Sequence, residues 1–186
     1  MSVKEITQKV EAKMKKSLES FQHEIAAIRT GKATTALLDR VKVDAYGQLM
    51  PLKQLGNVGV QDAHTLMVQV WDKSMVAPAE KAIRDANLGL NPAAEGQSIR
   101  VSIPPLTEER RKEYVKLTKK YGEDTKIALR NLRREILHGV DKLEKDKEIS
   151  EDEKSRSKKD ADDLVHKYEK QINDLIAQKE KEIMEV

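Results

Sequence analysis

The chain contains no cysteine and almost no aromatic side chain: one Trp, one Phe and four Tyr among 186 residues. Without cysteine there is no disulfide framework and no thiolate chemistry. So few aromatics do not suit a large sheet core, whereas helices packed through Leu, Ile and Ala need none. No long apolar run occurs, which leaves nothing to span a membrane, and Met1-Ser2-Val3-Lys4-Glu5-Ile6 lacks the apolar core of a signal peptide. A cytoplasmic protein is expected. Charge of one sign is scarce too. The net charge is only +3, so any nucleic-acid reading must rest on local clustering rather than on bulk basicity.

Recognisable reaction chemistry is also missing. His23, His64, His138 and His166 show no metal-ligand spacing. Gly31-Lys32 resembles the end of a phosphate-binding loop, but it lacks the upstream glycine and has Ala33 where Ser or Thr is required. Asp160, Asp162 and Asp163 sit on a segment rich in both charges and read as a solvated face rather than a cation site. No residue set reads as catalytic, and the chain is expected not to be an enzyme.

What is present divides into two compositions. Residues 31–105 hold 8 Lys/Arg and 7 Asp/Glu, together with all five prolines, whereas 1–30 and 106–186 hold 27 and 25. The expected organisation is one domain from 1–30 and 106–186 with a second, 31–105, inserted into it.

The flanks read as three helices. The first, about Val3 to Ile28, carries Ile6, Val10, Met14, Leu18, Phe21, Ile25 and Ile28 at three- and four-residue spacing. The second opens after Pro104-Pro105 with Thr107 as N-cap and Glu108-Glu109 at the positive end of the helix dipole. It is expected to continue to about Lys145, on the order of 57 Å. The third opens at Ser150-Glu151-Asp152-Glu153, a capping-box pattern, and has Ala161, Val165, Tyr168, Ile172 and Leu175 as its seam. Each helix has one apolar stripe, so the three bury their stripes against one another as a bundle.

The middle block alternates. Val41, Val43 and Ala45 make one strand, Leu66, Val68 and Val70 a second, and Ile99, Val101 and Ile103 a third. Ala77–Leu88 reads as a short helix, with Pro78 in its first turn and Gly89 just past its end. The chain leaves the bundle at Thr30-Gly31 and returns at Pro104-Pro105, one crossing flexible and one stiff. The pair reads as a two-stranded hinge, with a rigid elbow as the alternative.

One pattern points to a ligand. Lys112, Lys116, Lys119, Lys126, Arg130 and Arg133 are spaced 4, 3, 7, 4 and 3 apart, within about one third of a helix circumference. Tyr114, Leu117, Tyr121, Ala128, Leu132 and Ile136 are expected opposite them. Within Arg130-Asn131-Leu132-Arg133-Arg134, three arginines share one face with no acid among them. Guanidinium forks fit phosphate oxygens better than ammonium does, and a straight cationic edge suits a phosphate backbone. With so few aromatics, contact would be with backbone and shape rather than stacked bases. A solvated surface balanced by Glu123 and Asp141, and a seat for an acidic protein, remain the other readings.

Several segments, in order and spacing, closely resemble the bacterial ribosome recycling factor family. They are Ile28-Arg29-Thr30-Gly31, Leu88-Gly89-Leu90-Asn91-Pro92, Pro104-Pro105-Leu106-Thr107-Glu108-Glu109-Arg110-Arg111-Lys112, Arg130–Arg134 and Lys145-Asp146-Lys147-Glu148-Ile149-Ser150-Glu151-Asp152. The resemblance covers essentially the whole chain. It implies an α+β fold: an elongated three-helix bundle with a small inserted β/α/β domain, joined in an L by two hinge strands. It implies splitting of the post-termination ribosome into subunits, with release of messenger RNA, together with elongation factor G and GTP. Hydrolysis belongs to the partner, so no cofactor is implied for this chain, and a monomer is expected. The bundle would lie on large-subunit ribosomal RNA through Arg130, Arg133 and Arg134, with Arg110 and Arg111 matching the family's entry motif. Lys112, Lys116, Lys119 and Lys126 extend that face, and Arg29, Thr30, Gly31, Pro104 and Pro105 match the hinge. One departure is Glu135-Ile136-Leu137-His138-Gly139, where the family commonly has a short polar stretch. A mid-helix glycine costs about 1 kcal/mol relative to alanine, and a bend or loosening is expected at Gly139. A helical adaptor carrying an inserted module is the main rival reading.

Overall fold

The computed structural model describes residues 1–185. It divides into two compact units, one from Met1–Ile28 with the chain from Lys112 onward, the other Arg29–Arg111. Each has its own apolar core.

The first unit is a bundle of three helices: α1 (Val3–Ala26), α3 (Glu108–Lys145, whose first turn falls within the other unit) and α4 (Glu151–Met184). Their ends carry the local chemistry that starts and stops a helix. At α1 the Ser2 hydroxyl accepts from the Glu5 N–H at 3.2 Å while the Glu5 carboxylate accepts from the Ser2 N–H at 2.7 Å. Ser150 and Glu153 repeat this at α4. Thr107 Oγ1 accepts from the Arg110 N–H at 3.2 Å ahead of α3. α1 stops two residues before the expected Ile28, where the chain tightens and the Ile28 N–H bonds to the Ile25 carbonyl. α3 ends with Lys147 at φ +59°, the Glu148 N–H on the Leu143 carbonyl and the Lys147 N–H on that of Glu144, a Schellman closure built on lysine instead of glycine.

The core of the bundle runs along Met14, Phe21 and Ile25 of α1, Leu129, Ile136 and Val140 of α3, and Ala161, Val165, Tyr168, Ile172 and Ile183 of α4. α3 passes through Gly139 as unbroken helix, so the glycine does not interrupt it. A Cβ at Gly139 would lie 2.9 Å from Ile6 Cδ1, so the glycine makes room for α1. Gly122 does the same for α4, where a Cβ would stand 2.4 Å from Ile176 Cδ1.

The inserted unit has six strands where three are legible in the sequence. β1 (Lys42–Ala45) and β2 (Gln48–Pro51) form a hairpin whose turn, Tyr46-Gly47, has φ of +52° and +80°. β3 (Gly56–Asp62), β4 (Thr65–Val70), β5 (Asn91–Glu95) and β6 (Ser98–Ser102) form an antiparallel sheet in the order β3-β4-β6-β5. α2 spans Val76–Asp85, three residues short of the expected Leu88. The chain order is ββββαββ, and α2 packs against both the β1–β2 hairpin and the four-stranded sheet, the expected β/α/β layering. β2, β3 and β5 are mostly exposed along their length; an edge strand has little to bury, so no alternation marks it. Pro92 sits in β5, an edge strand, where its missing N–H is tolerated.

Candidate nucleic-acid interface

All nine cationic candidates lie on α3. Arg110 and Arg111 fall within the inserted unit and Lys112, Lys116, Lys119, Lys126, Arg130, Arg133 and Arg134 within the bundle. The buried line of α3 is Thr118, Gly122, Leu129, Ile136, Val140 and Leu143. At about 100° per residue, the basic stripe lies roughly a quarter turn from that line, not opposite it. Tyr114, Leu117, Tyr121 and Leu132 pack around the core as partly buried neighbours. The stripe is thus a border of the α3–α4 seam, with acids from α4 within reach.

Three of its members are engaged there. Arg133 donates from Nε to Asp162. Arg130 places Nε 3.4 Å from Glu169 Oε1 and Nη1 3.9 Å from Glu123. Lys119 Nζ is 3.2 Å from Glu180 Oε1. The expectation of arginines with no acid among them holds within Arg130–Arg134 but fails in space, because Asp162 and Glu169 reach in from α4 and Glu123 lies two turns earlier on α3. Asp162 is accordingly a partner of Arg133 rather than a purely solvated charge. The sequence reading missed Asp162, Glu169 and Glu180; only an antiparallel pairing of α3 with α4 could have found them. Among the described residues, no ion pair engages Lys116, Lys126 or Arg134. Arg134 and Lys116 are exposed, and Lys126 is half-buried.

The far end of the same seam is fastened differently. Lys154 Nζ lies 3.1 Å from Asp141 and 3.3 Å from Glu144, and Lys158 is 3.2 Å from Asp141. The Lys154 and Lys158 ammonium groups beside it hold the Asp141 carboxyl below the usual carboxylate range, and Asp141 and Glu144 raise Lys154. Asp141 is therefore occupied with α4 and does not balance the arginine cluster. On α4, Lys179 takes a place in the apolar row; burial lowers its ammonium, opposed by Glu182 3.8 Å away.

The crossing residues are organised by one turn of the inserted unit. Gly31 has φ +78°, and its carbonyl lies 2.9 Å from His64 Nδ1, which must carry the proton to donate. The Ala33 N–H bonds to the Ala63 carbonyl and the Ile103 N–H to the His64 carbonyl, both at 2.8 Å. The Ala63-His64 turn therefore ties the outgoing strand at Gly31–Ala33 and the returning strand just before Pro104-Pro105. Asp62 holds the turn by accepting from the His64 N–H, which lowers its pKa. Arg29 and Thr30 also lie in this unit, with the Arg29 guanidinium against Gly89. Nothing in the sequence marked His64 for this role.

No group of His, Asp and Glu suited to a metal ion occurs among the described residues, and no described helix is long and apolar enough to cross a membrane. A helical bundle with charged seams and an inserted antiparallel β unit defines an α+β binding factor whose candidate contacts lie on long helices. The family model described as Ribosome recycling factor matches residues 21–184, and the chain belongs to that family. It is 89% identical over 155 residues to the Ribosome-recycling factor of Chlorobium phaeobacteroides (strain BS1), covering 83% of each chain. To that of Prosthecochloris aestuarii it is 86% identical over 156 residues, 84% of each. A solution structure of the ribosome recycling factor matches with TM-score 0.80 and 45% identity, over 100% of this chain and 99% of that one. A second structural match has TM-score 0.67 and 42% identity over 100% of both chains. It is a model of the T. thermophilus ribosome recycling factor with E. coli elongation factor G on the E. coli post-termination complex. The chain is a translation factor and not itself an enzyme.

Proposed function

We propose that the chain splits the post-termination ribosome into subunits and frees it from messenger RNA, acting with elongation factor G and GTP. The observation that carries this reading is its similarity, over its whole length, to a recycling factor placed with elongation factor G on the post-termination complex. GTP is used by the partner, and the chain needs no cofactor of its own. It works in the cytoplasm as a monomer.

The bundle is the anchor. The α3 border seats on large-subunit ribosomal RNA, with Arg130, Arg133 and Arg134 as forks on phosphate, Lys112, Lys116, Lys119 and Lys126 extending the field, and Arg110 and Arg111 at the entry of the helix. The inserted unit is the handle for elongation factor G. Its exposed Tyr46 and Trp71, at one rim and braced by the 2.5 Å bond from the Tyr46 hydroxyl to Asp72, give that partner an amphipathic surface. Movement is taken up at Arg29–Gly31 and Pro104–Pro105.

Light scattering of purified post-termination ribosomes tests this. A fall in scattering that needs the chain, elongation factor G and GTP together is the expected result. Unchanged scattering with the chain still pelleting on ribosomes would leave it a binder that does not split; failure to pellet would favour a helical adaptor of another assembly.

A further inference from the structure

We propose that the α4 carboxylates Asp162, Glu169 and Glu180 attenuate the cationic border of α3, setting how tightly it holds RNA phosphate. The inference rests on the reading of that border as the RNA seat. The three acids run along α4 opposite Arg133, Arg130 and Lys119 in antiparallel order. In both arginine pairs the carboxylate faces Nε. With the hydrogen bond of Arg133 made through Nε, the terminal Nη groups remain able to fork onto a phosphate, Nη1 of Arg130 lying 3.9 Å from Glu123 of α3. The side chains remain reachable, 37% exposed at Arg133 and 55% at Arg130.

A phosphate seated on the Nη side would lie well within a Debye length, about 8 Å at physiological salt, of the carboxylate behind the guanidinium. It is drawn by the cation and repelled by the acid. Three cations thus work against three α4 anions, with Glu123 of α3 a fourth near Arg130, while no ion pair among the described residues offsets Lys116, Lys126 or Arg134. The arginines then supply geometry more than charge, in a seat that can be vacated as well as filled.

The test is co-sedimentation with purified bacterial large ribosomal subunits, the affinity being followed from about 50 to 200 mM salt. Asp162→Asn and Glu169→Gln keep an oxygen to accept from Nε and remove only the charge. Each is expected to tighten binding roughly two- to fivefold at low salt, with the gain shrinking as salt rises and the thermal midpoint unmoved. A merely structural acid would give no salt-dependent gain. Weaker binding by both variants at an unchanged thermal midpoint would overturn the proposal, making the acids positioning residues for the forks. No change in either, with Arg133→Ala still weakening binding, would also overturn it while leaving the seat in place. If Arg133→Ala had no effect either, the seat itself would fall. Should Asp162→Asn fail to fold, Glu169→Gln alone decides the matter.

Discussion

The bundle and the inserted unit distribute charge and apolar surface in opposite ways. In the bundle, residues 1–28 and 112–186 supply 47 of the chain's 67 Lys, Arg, Asp and Glu, and the helices carry them as borders on either side of narrow apolar seams. The inserted unit, Arg29–Arg111, holds only 20 and closes its core between a sheet, a hairpin and one short helix. Its few aromatics, Tyr46 and Trp71, stand outside that core. Each unit is therefore suited to different work. A helix with a charged border can lie along an extended polyanion, while a compact β unit with exposed rings offers a local surface to a protein.

If the two cores are separate, they can be damaged separately. Ile172→Ala opens a cavity in the fully buried α4 seam and should cost about 2–5 kcal/mol. Hydrogen exchange should then quicken in α1, α3 and α4 while β3–β6 stay protected. Equal loss in both would show that the two cores open as one. Gly122→Val pushes a side chain toward Ile176 and should cost about 1–3 kcal/mol by overpacking, read as a fall in the denaturation midpoint. Gly139→Ala is the milder control. Its neighbour is the end of a flexible Ile6 side chain, and the gain in helix propensity, about 1 kcal/mol, offsets much of the displacement. Gly31→Ala meets Leu106 only at ordinary distance, 3.5 Å, but forces a side chain into φ +78°. It should destabilise the inserted unit by about 1 kcal/mol, visible as faster exchange near the Ala63-His64 turn.

The smallest effect is one of pH. Burial, reinforced by the bond from its hydroxyl to Glu11 at 3.1 Å, pushes the Tyr168 phenol from 10.0 to about 12. Its neutral form is therefore favoured in the folded bundle. That contribution is fully present below pH 10 and is lost as pH rises toward about 12. Tyr168→Phe should flatten this part of the alkaline unfolding curve, and an unchanged curve would show that the phenol is not responsible.

The same contrast explains what could be read from sequence. The bundle was legible because each of its rules is local: Ser150 with Glu153 opens α4, and Ala161, Val165, Tyr168 and Ile172 recur at helical spacing and are all buried. The inserted unit was half legible. β1, β4 and β6 have buried alternating faces, whereas β2, β3 and β5 do not. The cationic border was found as a stripe but not as a seam, since the pairing of Arg133 with Asp162 spans two helices. The tie from His64 to Gly31 was equally out of reach, being fixed by how β3 turns into β4.

The proposed role of the α3 border is a phosphate seat. It is tested most directly by the salt dependence of binding to purified large ribosomal subunits, for the natural chain and for Arg130→Ala/Arg133→Ala/Arg134→Ala. Every phosphate no longer neutralised should take about 0.7–0.9 off the log–log slope, so the triple variant should bind more weakly and with a shallower slope, by about one if the α4 carboxylates already offset Arg130 and Arg133 and by about two to three if they do not. Two lines of equal slope and equal affinity would contradict the account.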